Sequence, residues 1–327
     1  MAHMITEEIV RQAMSCYALN CSRIELIRHN ENMTYKLTSD NKDYLLRIHK
    51  PVEGFSLGIF DVDDRTSFIR SEMDIIADLG RVSDLLVQAL VRGKNGDLVQ
   101  TISDGTPVSL LAWVEGQMVE AVEQTPEILS TIGVLTAKMH LFFEEKLSDN
   151  KKYDRYSYDQ SLLASVAERM HEANRRDIIT DIHRQVVLDG LDEMDKRFCE
   201  LDKLYPKILV HADLSKSNML VTAEGTIVPI DFSLSGYSHF YMDIGGLFAN
   251  ISTTEDRQHI IRGYKAVRNC DISPRYIEPY FALQAALFIA CQYERAAAWD
   301  WFGEAMERWC ASIFAPLAKG TAFIILD

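Results

Sequence analysis

His211, Asp213, Asn218 and Asp231 fall close together in the stretch Ile208 to Phe232, ILVHADLSKSNMLVTAEGTIVPIDF. A carboxylate in a polar turn can orient or deprotonate a hydroxyl. A second carboxylate and an amide can hold a divalent cation on nucleotide phosphates. These are the parts of a phosphoryl-transfer site. The elements that must position them follow from the pattern. Ile208 to Val210 is an apolar run that delivers His211, Ala212 and Asp213 into a polar turn. Met219 to Val221 is a second run, and Ile227 to Ile230 a third that ends on Asp231, with Glu224 and Gly225 turning the chain between them. Strand, turn, strand, tight turn, strand predicts one hairpin unit on which the three oxygen-bearing side chains converge.

The spacing H-x-D-x-x-x-x-N, followed by a strand ending in Asp, matches the catalytic-loop and metal-aspartate signature of kinases. With Ala212 between His211 and Asp213, it resembles the aminoglycoside phosphotransferase and choline kinase superfamily. Turn chemistry alone does not demand a His, two Asp and an Asn at these offsets. The resemblance implies an α+β, bilobal, protein-kinase-like fold. Residues 1–115 would form a small antiparallel-sheet nucleotide-binding lobe with one or two helices, and residues 116–327 a larger, mainly helical catalytic and substrate-binding lobe. It also implies ATP or GTP with Mg2+ as cofactors. Asp213 would be the catalytic base, with His211 beside it in the catalytic loop, and Asn218 and Asp231 would be the metal ligands.

In the first lobe, an amphipathic helix is expected from Thr6 to about Leu19. Antiparallel strands follow at Ser22 to His29, Met33 to Thr38 and Tyr44 to His49, the first two joined by the polar link Asn30-Glu31-Asn32. The link carries no glycine and so departs from the G-x-G-x-x-G loop of protein kinases. Followed by Thr34-Tyr35, it resembles small-molecule kinases of the homoserine kinase type, which implies that it lies over the nucleotide phosphates. A plain hairpin loop is the other reading, and the residues alone leave both open. Arg47 stands on the third strand where kinases place a phosphate-pairing Lys, and Glu72, in the helical stretch Arg65 to Leu79, is its expected partner. Leu85 to Val91, Leu98 to Ile102 and Val108 to Val114 are read as further strands. The resemblance implies that the last leads into a hinge whose backbone groups near Ala112 and Val114 bind the base. Trp113 is expected as a core aromatic.

Past Gly116 the pattern turns helical. Helices are expected from Pro126 to about Glu145, Ser161 to Ala173, Ile178 to Leu201 and Tyr280 to Ala298. Lys151 to Gln160 reads as a Tyr-rich polar linker. His140 is expected to pack near the catalytic loop. Asp243, in Asp243-Ile244-Gly245, is expected to N-cap a helix, and the resemblance implies that it also supports the catalytic-loop backbone. For the acceptor pocket, Glu294, Trp299 and Asp300 offer acids among aromatics that could hold an amine, or a terminal helix with its acids in water. Three acceptor classes stay open: an aminoglycoside-like or other amino alcohol, choline or ethanolamine, and homoserine or another hydroxylated metabolite. A non-catalytic nucleotide-binding regulator is the alternative of another class.

The net charge of -14 over 327 residues disfavours nucleic acid as a partner, because a phosphate backbone would be repelled. No apolar run is long enough to suggest a membrane span. Six scattered cysteines without C-x-x-C spacing read as free thiols in a reducing cytoplasm. The expected partner is a hydroxylated small molecule, cationic in the first two acceptor classes, and no obligatory protein partner is evident.

Overall fold

The computed structural model describes residues 2–60, 62, 64–81 and 84–326, with side chains from Glu7 onward. It opens with α1 (Ala2–Ser15), so the helix begins before Thr6, whose side chain lies outside the described residues. Three long strands follow: β1 (Cys21–His29), β2 (Met33–Ser39) and β3 (Lys42–Ile48). After α2 (Arg65–Leu79) come β4 (Leu90–Val91), β5 (Val99–Thr101) and β6 (Pro107–Ala112). The sheet is antiparallel, ordered β1-β2-β3-β6-β4, with β5 also paired to β6.

Period-two alternation on β2 turns Met33, Tyr35 and Leu37 to one face, where Ile9, Val10 and Ala13 of α1 cover them. On the other face, Phe68, Ile69, Met73 and Ile76 of α2 join the main core. Asp64 caps α2 by accepting from the amides of Thr66 and Ser67. Of the expected strand at Leu85 to Val91, only its end meets a neighbour, Leu90 and Val91 pairing with β6 and the Ala89 carbonyl accepting from the Ala112 amide. Trp113 is half-buried rather than a core residue, with the Lys36 ammonium 4.3 Å from its ring centroid.

The chain continues with β7 (Gln117–Met118), α3 (Pro126–Ser148), β8 (Tyr156–Ser157), α4 (Gln160–Arg175) and α5 (Asp181–Leu201). Next come β9 (Ile208–Val210), β10 (Met219–Val221), β11 (Ile227–Pro229), β12 (Gly236–Ser238), α6 (Tyr241–Ala249), α7 (Thr254–Val267) and α8 (Pro274–Ala296). Two short helices, α9 (Phe302–Trp309) and α10 (Ala315–Ala318), close the chain. Helices α3 and α7 cross at two glycines. A Cβ on Gly133 would collide with the Ile260 carbonyl, and one on Gly263 with the Ser130 carbonyl.

Helix α8 contains Pro279, which cannot donate to the Arg275 carbonyl one turn back. That carbonyl instead accepts from the buried Arg197 guanidinium at 2.8 Å, and Arg197 also pairs with Glu278 at 2.8 Å. Among the described residues, no helix is long and apolar enough to cross a membrane.

Two expectations are corrected here. The catalytic stretch is not one three-stranded unit: β10 and β11 form the hairpin, joined by β7, whereas β9 pairs with β12 in a separate sheet with β8. An apolar run of three residues does not specify its partner. The Tyr-rich tract is not a solvated linker either, since Tyr153, Arg155, Tyr156 and Tyr158 are all buried.

Candidate active site

Asp213 sits just past β9, in a loop whose backbone is tied down from behind. Ala212 adopts the left-handed region, φ 66°, which an alanine occupies only when its surroundings impose it. Asp243 supplies that constraint. Its carboxylate accepts from the amides of His211 (3.0 Å) and Ala212 (2.7 Å) and from His140 Nε2 (3.0 Å). Tyr264 in turn contacts His140 Nδ1 at 2.7 Å. Burial alone would raise the Asp243 pKa, but the His140 hydrogen bond and the nearby imidazoles hold it below the usual carboxylate range.

Asp243 lies inside α6, after Phe240 at the N-cap position, so it is not the N-cap expected from the sequence. It turns back to the loop instead of bonding its own helix. His211 Nε2 donates to the Ile230 carbonyl at 3.0 Å, tying the loop to the end of the hairpin. Burial pushes the His211 pKa down, which keeps it neutral for this purpose.

The Asn218 amide nitrogen donates to the Asp213 carbonyl (2.9 Å) and to Asp213 Oδ2 (2.7 Å). Its oxygen is thereby the atom that could face a cation. Asp231 is also left-handed, φ 64°, and receives Arg28 on Oδ2 at 2.8 Å and Arg47 on Oδ1 at 3.3 Å. Burial works against its charge, yet Arg47 and Arg28 outweigh it and keep the pKa low. Asp213 behaves oppositely: burial, then the neighbouring Asp231 charge, push it up to about 7.

Arg47 is buried, with Glu72 at 2.5 Å and Glu31 at 3.8 Å. Burial, reinforced by Asp231, pushes Glu31 up to about 8. The Asn30–Asn32 link folds tightly, the Asn30 amide donating to the Asn32 carbonyl at 3.2 Å and Asn32 Nδ2 to Glu31 at 2.9 Å. At the end of β6, the Ala112 amide is taken by the Ala89 carbonyl at 2.7 Å, while its own carbonyl is met by Gln88 at 3.5 Å.

Asn30, Glu31, Asp213 and Asp231 share one cavity of about 280 Å³, walled on its far side by α8. Glu294, Trp299 and Asp300 do not line it. Glu294 is exposed and pairs with Arg176, Trp299 stacks on Trp301 at 5.2 Å, and Asp300 is exposed. The face of α8 turned to the cavity carries Gln284, Leu287, Phe288, Cys291 and Gln292 instead. Their spacing marks one helical face.

Sequence reasoning also missed Arg28 and Arg155. Arg155 is buried, its guanidinium donating to the carbonyls of Phe68 (3.1 Å), Phe232 (3.0 Å), Ser233 and Ser235 (2.9 Å). It clamps the segment that follows Asp231. No local pattern announces such a role, since all its acceptors are backbone.

The profile of the phosphotransferase enzyme family matches residues 23–280. The chain belongs to that family. The sequence of this phosphotransferase is 22% identical to an amicoumacin kinase of Bacillus subtilis (strain 168), over 98% of this chain and 94% of that protein. Its fold is similar to that of a microcompartment-associated aminopropanol kinase (TM-score 0.77, 21% identity, 98% of this chain and 100% of that one). It is also similar to an amicoumacin kinase in complex with AMP-PNP, Ca2+ and Ami (TM-score 0.75, 19% identity, 100% and 98%). A choline kinase from Streptococcus pneumoniae shares the fold more distantly (TM-score 0.61, 14% identity, 96% and 98%).

Among the described residues, no three His, Cys, Asp or Glu side chains form an all-protein metal cage. The Asn218 and Asp231 oxygens nevertheless suit a hard cation whose remaining ligands are phosphate oxygens and water. The Arg28 guanidinium on Asp231 Oδ2 shows positive charge already held at that carboxylate.

Proposed function

We propose that this phosphotransferase moves the γ-phosphate of ATP to a hydroxyl of a small molecule. The observation that carries the reading is the single cavity wall bearing both Asp213 and Asp231, backed by the buried Arg47–Glu72 pair. Asp213 accepts the proton of the incoming hydroxyl as its oxygen bonds to phosphorus and the bond to the ADP oxygen breaks. An acid pushed up to about 7 is suited to that exchange near neutrality. His211 holds the loop by its bond to Ile230. Asn218 and Asp231 hold magnesium, which when bound neutralises phosphate charge. Arg47, oriented by Glu72, pairs with phosphate oxygens, and the Asn30–Asn32 link covers them.

Residues 1–115 serve as the nucleotide lobe and 116–327 as the catalytic and acceptor lobe, with the Ala112 carbonyl and the Val114 backbone facing the base, the Ala112 amide being held by Ala89. Six free cysteines fit a reducing cytoplasm. The test is Asp213→Ala. Acceptor-dependent ADP release should disappear while magnesium and ATP still bind in equilibrium dialysis. Retained turnover would overturn the assignment. Unchanged ATP binding with no acceptor-dependent turnover in the native enzyme would mark a nucleotide-binding regulator instead.

A further inference from the structure

The acceptor side of the cavity is built from apolar surface and neutral amides. Phe55, Leu57 and Phe60 come from the segment after β3, and Leu287 and Phe288 from α8. The Ser56 amide donates to the Cys291 carbonyl at 2.9 Å, so the first-lobe segment is strapped onto α8 and roofs the space. Midway along α8, Gln284 approaches the Ala212 carbonyl at 3.5 Å, beside Asp213. Gln292 stands eight residues further along, which at the helical rise is about 12 Å. Between the two amides the helix offers only Leu287, Phe288 and Cys291 to the cavity.

The charges point the same way. Asp231 is paired by Arg28 and Arg47, whereas Asp213 and Glu31 meet the neutral amides of Asn218 and Asn32; all three lie at the transfer end, and neither α8 nor the segment after β3 puts a carboxylate into the cavity. The exposed charge at the mouth is the cation Arg28, whose side chain is 46% exposed. An ammonium group held against α8 between Leu287 and Gln292 would meet no anion on that face, and its desolvation would go uncompensated.

From this lining we infer that the acceptor is an uncharged hydroxyl compound with an apolar, ring-sized body and a neutral hydrogen-bonding group about 12 Å along α8 from Gln284. It is not a polycationic aminoglycoside or a quaternary amino alcohol. The inference rests on the phosphoryl-transfer reading: the hydroxyl oxygen attacks the γ-phosphorus, ADP leaves, and the proton passes to Asp213.

The experiment uses the full-length enzyme with magnesium and ATP and a pair of acceptors of similar size, 4-(4-hydroxybutyl)benzamide and the cationic 4-(4-(aminomethyl)phenyl)butan-1-ol, whose polar groups lie about 11 Å from the hydroxyl across the ring. Kanamycin and choline complete the panel. Turnover is read as ADP release, and binding independently by saturation-transfer NMR. The amide should exceed each cation by at least about tenfold in kcat/KM, as the loss of one uncompensated charge interaction predicts. A Gln292→Glu variant, checked for native folding by circular dichroism, should reverse the order within the pair. Equal or better use of the amine, kanamycin or choline by the native enzyme overturns the inference and leaves the phosphotransferase reading standing. Selective binding of the amide, reversed in Gln292→Glu but without turnover, upholds the acceptor class and sinks the phosphoryl-transfer reading. Failure of the amide to bind overturns the inference.

Discussion

Replacing Arg155 with Met keeps an aliphatic stem against the Phe68 ring, which the guanidinium now covers at 3.9 Å, but removes every donor. Four carbonyls, those of Phe68, Phe232, Ser233 and Ser235, then lose a charged partner in a buried site. Hydrogen bonds to charged groups contribute roughly 1.5–3 kcal/mol each. The sum overstates the loss, because removing the guanidinium also relieves its own desolvation. The net expectation is a loss of about 3–4 kcal/mol, with Arg155→Lys recovering about one bond's worth. Urea unfolding followed by tryptophan fluorescence measures it, provided the m-value is unchanged. The same variant should weaken magnesium binding, because the clamped segment begins at Asp231. A loss below about 1 kcal/mol, the range of an exposed pair such as Arg175–Glu168, would refute the clamp.

Four further outcomes follow from the site and its supports. Asp213 is raised to about 7 in the folded chain, so the native state holds a proton that the unfolded chain has released, and stability falls as pH rises from about 4 to about 7. Asp213→Asn should therefore gain on the native enzyme by up to about 2 kcal/mol between about pH 5.5 and pH 8 in metal-free buffer; a pH-independent difference would contradict this. Glu72→Gln should raise KM for ATP more than it lowers kcat, since Arg47 keeps Asp231 and Glu31 but loses its 2.5 Å partner; steady-state kinetics with unchanged KM would argue against the orienting role. Arg28→Met should tighten Mn2+ binding without nucleotide, because the guanidinium competes for Asp231 Oδ2; weaker binding by electron paramagnetic resonance titration would reverse that view. Gly263→Ala should cost about 1–3 kcal/mol by forcing α7 off α3, and an unshifted thermal melt would disprove the close crossing.

Much of the fold was legible because it rests on local periodicity. Short runs between turns marked β2 and β3, and apolar stripes marked α2 and α3. The Arg47–Glu72 pair was legible only through the kinase resemblance, since either residue alone reads as a surface charge. What was not legible depends on contacts between distant backbone atoms. Arg155 reads as one more charge in a polar tract, and nothing near it announces that the chain at Phe232 to Ser235 will present carbonyls there. The three apolar residues of β9 do not distinguish the hairpin from β12. On α8 the relevant signal was present, since positions 284, 287, 288, 291 and 292 form one face. The acids at Glu294 and Asp300 stand off that face, Glu294 paired with Arg176 and Asp300 exposed.

Asp243, His140 and Tyr264 hold the Asp213 loop from behind, and none of them lines the cavity opposite α8. The supports of the transfer loop and the α8 face of the cavity are thus physically separate layers. Substitutions along the exposed face of a single helix can retune which alcohol is admitted while the reacting geometry stays put, so new specificities lie within reach by mutational drift that leaves the reaction itself intact.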